Sequence, residues 1–176
     1  MLVVIDHLSE RKDYMFSTET TKCSCGCCGN KCRFNPCAVT CGQCVESFGD
    51  YAYIYNTAAQ TVAADAAVTF SSNGPLSGTI THTAGTAQVV IGRTGVYMVN
   101  YYIDGGDTDT TTTVYRNGEA LQGTTYTADN GQFIFAAQTG DVLTLVNTGA
   151  AEITLTAEGT TPEAVTNASM TIVRLF

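Results

Sequence analysis

The sequence predicts an all-β sandwich or jelly roll preceded by an extended, cysteine-rich arm, and three observations carry that prediction. From residue 51 onward, short apolar alternations follow one another, separated by turn signals and with no helical periodicity. Thr, Val, Ala, Gly and Tyr dominate, Trp is absent, and Lys, Glu and Leu are scarce, which is strand-and-turn composition. All eight cysteines fall between positions 23 and 44, in the part of the chain that has no strand series.

The arm spans residues 1–49. It begins with "MLVVIDHL", in which Leu2, Val3, Val4 and Ile5 form a short β-prone stretch, followed by the charged run "SERKDYMFSTETTK". Neither piece has enough apolar surface for a core of its own. The cysteine segment, 23–44, is rich in Gly and Asn. The head, residues 50–176, opens with "YAYIYN", which puts Tyr51, Tyr53 and Tyr55 on one side of a strand because side chains alternate with period 2. "TVAADAAVTF" reads as the next strand. "GTAQVVIG" and "GVYMVNYYI" flank Arg93-Thr94, and "VYRNGEALQG" carries the hairpin dipeptide Asn117-Gly118. "GQFIFAAQTGDVLTLVNTG" has two apolar runs around a Thr139-Gly140-Asp141 turn, "AEITLTAEG" alternates cleanly, and "NASMTIVRLF" closes the chain.

Two of these strands are apolar on both sides. In "GVYMVNYYI", Tyr97, Val99, Tyr101 and Ile103 share one side and Val96 and Met98 the other; in "VLTLV", Val142 and Val146 alternate with Leu143 and Leu145. One side fills the sandwich core, and the second needs a cover. The economical cover is another copy of the chain, which makes Val96, Met98, Val142, Leu143, Leu145 and Val146 the candidate oligomer interface. A loop or the arm folding over that side is the alternative.

Charge excludes whole classes of partner. The chain carries a net −8, and residues 51–176 hold three arginines against ten carboxylates, a net of −7. So acidic a body is a poor partner for nucleic acid or anionic lipid. No apolar run approaches the roughly 20 residues of a membrane span. The start of the chain lacks a basic region, a long apolar stretch and a small-residue cleavage site, so synthesis outside the usual export route is expected. Catalysis has little support: His7 and His82 are the two histidines, and neither stands in a nucleophile–base pattern. Asp104, Asp107 and Asp109 in "DGGDTDT" fit no complete calcium loop and read as a solvated loop. "NAS" at 167–169 has the form of a glycosylation acceptor but reads as chance. No cofactor is expected.

The cysteines allow three uses. Cys25-x-x-Cys28 and Cys41-x-x-Cys44, twelve residues apart, have the spacing of a four-thiolate zinc or iron–sulfur site. An internal disulfide knot is the second use. It is hindered in the dense part, because adjacent cysteines such as Cys27 and Cys28 cannot pair without strain. In an extended segment Cys23, Cys25 and Cys27 share one side and need partners elsewhere: Cys37, Cys41 and Cys44 of the same arm, or cysteines of another subunit; under the zinc spacing Cys23, Cys27, Cys32 and Cys37 are the four left over. Crosslinking between subunits is the third use, and it agrees best with a body that packs on copies of itself.

The order "GVYMVNYYI", "VYRNGEALQG", "GQFIFAAQTGDVLTLVNTG", "ASMTIVRLF" resembles the C-terminal domain of collagen-like spore-surface (exosporium) glycoproteins of Bacillus and Clostridium, within the complement/tumour-necrosis-factor-like superfamily. The resemblance covers roughly residues 51–176. It implies a jelly roll of about ten strands, trimerisation through one apolar face, and a place on the endospore surface. The chain departs from that family at the N-terminus, where no Gly-X-Y repeat exists and therefore no collagen stalk. Its layout, a short cysteine-bearing connector before a small jelly roll, is similar to that of endospore appendage subunits. The resemblance also implies synthesis in the mother-cell cytoplasm, where thiols stay reduced, and oxidation after release. The resulting expectation is a structural, non-enzymatic subunit of a spore-surface fibre, appendage or layer, locked by disulfides through the arm. Its partners are copies of itself and other spore-coat or exosporium proteins. The competing readings are a trimeric ligand-binding surface head and a metal-binding structural arm.

Overall fold

The computed structural model describes residues 49–105 and 110–176. Twelve strands follow in order: β1 Tyr51–Asn56, β2 Gln60–Val62, β3 Ser72–Ser77, β4 Ile80–His82, β5 Val89–Ile91, β6 Gly95–Ile103, β7 Thr112–Arg116, β8 Glu119–Tyr126, β9 Asn130–Ala137, β10 Val142–Asn147, β11 Ile153–Leu155 and β12 Ala168–Arg174. Ten of them form two five-stranded antiparallel sheets. Sheet I has the order β3-β1-β12-β6-β9 and sheet II the order β4-β5-β10-β7-β8, while β2 and β11 pair with each other. This is the expected all-β jelly-roll sandwich. Among the described residues there is no helix, and so none long and apolar enough to cross a membrane.

The period-2 pattern of each strand sends one set of side chains into a shared core. Ala52 and Ile54 of β1, Met170 and Ile172 of β12, and Tyr97, Val99, Tyr101 and Ile103 of β6 enter it from sheet I; Val89, Ile91, Val114, Leu143 and Leu145 enter from sheet II. The first and last strands of the head are neighbours, with Tyr51 opposite Val173 and Asn56 opposite Ala168. The Asn117-Gly118 hairpin forms as expected, with φ of 56° and 85°, the paired positive values that a type I′ turn demands. "TVAADAAVTF" differs from the sequence expectation. It does not make one strand, because Asp65 takes a left-handed φ of 62° and breaks the run after β2. The chain then returns alongside β10, with the Val68 N–H donating to the Leu145 carbonyl at 2.8 Å and Ala67 bridging Val146.

Buried polar groups are paired. Asn56 Nδ2 donates to Asn167 Oδ1 at 2.8 Å, and Asn167 Nδ2 donates to the carbonyls of Ala58 and Thr156 at 3.0 and 2.8 Å. Asn167 is 2% exposed, so the amide of the "NAS" triplet is occupied inside the head.

Candidate self-association faces

Antiparallel register assembles the outward side of sheet I from residues far apart in sequence. Tyr51, Val173, Met98 and Ile134 lie in one row across four strands. Tyr53, Thr171, Asn100 and Gln132 make the next row, and Tyr55, Ser169, Tyr102 and Asn130 the third. Val96 opposite Ala136 extends the apolar end. None of these side chains is charged, although the chain carries net −8. Ile134 is 61% exposed and Tyr51 and Tyr102 are each 39% exposed. The rings of Tyr53 and Tyr55 stack with centroids 5.5 Å apart. Tyr53 lies across β3 because Gly74 leaves room for it: a Cβ there would meet the ring at 2.5 Å.

The face is graded from end to end. Its apolar end runs into an open hollow of about 480 Å³ with Val96, Ala136, Arg116 and Phe176 in its wall. Its polar end carries Tyr102, whose phenol is raised above its ordinary pKa by partial burial and by the carboxylates of Asp104 and Asp129.

The outward side of sheet II is also uncharged, but its relief is different. Thr81, Val90 and Val142 align across β4, β5 and β10, and Thr144, Tyr115 and Ala120 align across β10, β7 and β8. Val90, at 36%, is the one large hydrophobic side chain of this face that is exposed. Farther along, Val146 and Thr113 are buried, and Thr113 shares hydroxyl hydrogen bonds of 2.9 Å with both Thr125 and Thr148. Apart from Val90 and the half-buried Tyr115, threonines and alanine give this face a low profile.

The sequence-derived interface set divides on this geometry. Val96 and Met98 lie on the outward side of sheet I, and Val142 and Val146 on the outward side of sheet II. Leu143, Leu145 and Val146 require correction: Leu143 and Leu145 are 0% exposed and belong to the head's own core, and Val146, bridged by Ala67, is 5% exposed, so none of the three is available to a second copy. The alternation of Leu143 and Leu145 with Val142 and Val146 identified two opposite sides of one strand, only one of which faces outward. Tyr102, Ile134 and Gln132 were missed, because cross-strand register is not readable from any one segment. Leu2, Val3, Val4, Ile5, His7 and the eight cysteines lie outside the described residues, as do Asp107 and Asp109.

The remaining polar clusters act within the fold. His82 Nε2 faces the Thr86 carbonyl at 3.0 Å and Nδ1 faces the Asn73 side-chain oxygen, tying β3, β4 and the following turn together. Asp50, 5% exposed, accepts from the Thr79 N–H at 2.6 Å and lies 4.0 Å from Arg174. Asp141 joins two turns: its carboxylate accepts from Asn117 Nδ2 and from the Gln138 N–H, each at 2.8 Å, while Asn117 Oδ1 accepts from the Val142 N–H. Burial alone would raise the Asp141 pKa, but those two donors and the Arg116 charge outweigh it and hold the carboxyl below its ordinary value. Among the described residues no group of three or more His, Cys, Asp or Glu side chains gathers at metal-binding range.

No family model matches this chain, and no curated protein matches its sequence. The chain is similar to several solved structures. The Eiger tumour necrosis factor of S. frugiperda is 17% identical with a TM-score of 0.50, covering 73% of this chain and 93% of its own. The globular domain of zebrafish complement 1qA is 9% identical with a TM-score of 0.47, over 73% and 98% of the two chains. Murine APRIL is 14% identical with a TM-score of 0.43, over 71% and 98%.

Proposed function

We propose that this chain is a self-assembling structural subunit of a spore-surface fibre, appendage or layer, whose head packs against copies of itself and whose N-terminal cysteines lock neighbours covalently. One observation carries the reading: a head of net −8, three arginines against eleven carboxylates over residues 50–176, presents across sheet I a face of aromatic, aliphatic and uncharged polar side chains with no charge at all. Copies of an acidic protein repel each other, and contact costs least where that charge is missing. Tyrosine, isoleucine and methionine are side chains that gain from losing water at an interface core. The arm's eight thiols then act as crosslinkers after oxidation, and Leu2–Ile5 adds as a strand to a neighbouring copy. The spore surface as the location rests on the sequence resemblance.

The test is electron microscopy and non-reducing gel analysis of the purified full chain. Regular polymers that withstand detergent and come apart only when reductant is added are expected. Discrete trimers, indifferent to reductant, would favour a ligand-binding head. Stoichiometric zinc or iron in the same sample would favour a metal-binding arm. Deleting residues 1–20 should abolish polymers and leave the head folded.

A further inference from the structure

We propose that the head has two association faces, front and back, and that copies stack with the outward side of sheet I of one against the outward side of sheet II of the next. This rests on the self-assembly reading and specifies its geometry. The first argument is where the charge lies. Each described carboxylate and each described arginine of the head sits in a loop, a turn or the first or last residue of a strand, from Asp50 and Asp65 to Glu119 at the start of β8 and Arg174 at the end of β12. Charge therefore rings the sandwich, and both broad sides are left without it. An antiparallel sheet with one solvated side ordinarily places polar and charged residues there; here both outward sides keep polar residues and lack the charged ones.

Relief is the second argument. Ile134, Tyr51 and Tyr102 stand exposed on sheet I, whereas on sheet II Val90 is the one exposed large hydrophobic side chain and Tyr115 is half-buried between Thr144 and Ala120. Two low surfaces bury little against each other. A projecting aromatic face against the flatter side of sheet II, with its threonines, Val90 and half-buried Tyr115, buries more, and the phenol and hydroxyl groups can hydrogen-bond across it.

The third argument comes from the sheet edges, each of which is guarded against pairing with another head. β3 contains Pro75, and β4 has three residues. β8 has an irregular register against β7. On β9, the Tyr126 hydroxyl donates to the Gln132 carbonyl at 2.5 Å and Arg116 to the Ala136 carbonyl at 3.2 Å, so side chains already occupy two of its edge acceptors. A four-residue segment such as Leu2–Ile5 needs only a short free stretch; a whole second edge does not find one. Heads therefore meet through faces.

Four strands about 4.8 Å apart and about six residues long give each face a footprint of roughly 400 Å², about half the area per partner of a standard stable interface. A single contact of this size is weak. Repetition along an array and a covalent tie make it effective. Because the two surfaces differ, the contact is heterologous and does not close on itself as a two-fold pair does.

The test uses the full chain under reducing conditions, followed by sedimentation velocity, with Ile134→Glu spoiling the front and Val90→Glu the back. The wild type should show concentration-dependent growth. Each variant alone should lose it and remain monomeric, since each copy lacks one half of every contact. An equal mixture of the two should give dimers and nothing larger. Front-to-front and back-to-back contacts would instead leave each variant forming dimers by itself, and that outcome overturns the proposal. So does growth of either variant to wild-type size. Tyr102→Glu and Thr144→Glu repeat the test at second positions, and circular dichroism confirms that each variant is folded. A wild type that is monomeric both here and without reductant overturns the self-assembly reading itself; loss of stacking alone leaves that reading standing.

Discussion

The apolar end of the outward side of sheet I, with Val96, Met98, Val173 and Ile134, and the inward side of sheet II are alike in character, yet they do opposite work. Leu143 and Leu145 are wholly buried, while Ile134 is 61% exposed. On composition the two regions are hard to tell apart. What separates them is whether the head itself supplies the covering layer. Sheet I covers the inward side of sheet II, and nothing else among the described residues performs that service for Ile134 and its row. The comparison teaches that apolar character marks a surface that is to be covered and leaves open which body covers it.

Substitution is the most direct way to break this comparison. Leu145→Ala should cost about 2–5 kcal/mol, because it opens a cavity in a side fully enclosed by the head. Ile134→Ala should change the stability of the dilute head by no more than about 0.5 kcal/mol, its effect falling on association instead. Denaturant unfolding at low and high protein concentration checks both. A large loss for Ile134→Ala at low concentration would mean that the head already covers this face.

Next in size is Asn167→Ala. It removes the Asn167 acceptor of Asn56 Nδ2 and the side-chain donor to the Thr156 carbonyl, while the Ala58 carbonyl keeps Asn56 Nδ2 at 2.7 Å, and about 1–3 kcal/mol of stability should be lost. The clamp joins the start of β12 to the end of β1, so hydrogen exchange should accelerate in those two strands before β10.

The two sheets should also fail at opposite ends of the pH scale. In sheet I, burial raises the phenols of Tyr97 and Tyr101 above 10.0, with Asp50 adding to the first and the Thr112 hydrogen bond partly offsetting the second. A raised folded pKa gives stability that is fully present below the unfolded value and is lost as pH rises through the folded one. At the head of β10 in sheet II, the lowered Asp141 gives stability that is present above 3.8 and lost as pH falls through its depressed folded value. Asp141→Asn should flatten the acid limb of a stability–pH curve and leave the alkaline limb unchanged; an unchanged acid limb would reject the assignment. The smallest effect is that of salt. Screening the like charges around the rim should modestly strengthen association of the wild type, as read from sedimentation at rising ionic strength.

The sandwich was readable because its signals are local. Alternation in β1, β6 and β12 and the Asn117-Gly118 turn each specify their own piece of backbone. β2 was misread because nothing in "TVAADAAVTF" marks Asp65 as the residue that turns left-handed. The candidate faces were readable only in part. Tyr51, Tyr53 and Tyr55 were placed on one side, and Val96 and Met98 were selected, from single segments. Their union with Ile134, Gln132 and Tyr102 depends on the strand order β1-β12-β6-β9, which places even Tyr51 and Val173, 122 positions apart, opposite each other. Leu143 and Leu145 were assigned to an interface because alternation says that two sides differ and does not say which one is inward.

The pairing of β1 with β12 has a practical corollary. The Arg174 N–H donates to the Asp50 carbonyl and the Val96 N–H to the Phe176 carbonyl, each at 2.9 Å, so the two ends of the head emerge at the same pole. A short Gly-Ser bridge between them, with new ends cut at the exposed 149–152 loop, should give a circular permutant that keeps every strand pairing. Such a permutant would carry its leading segment from the opposite pole, turning the direction of attachment into a variable that an engineer can set.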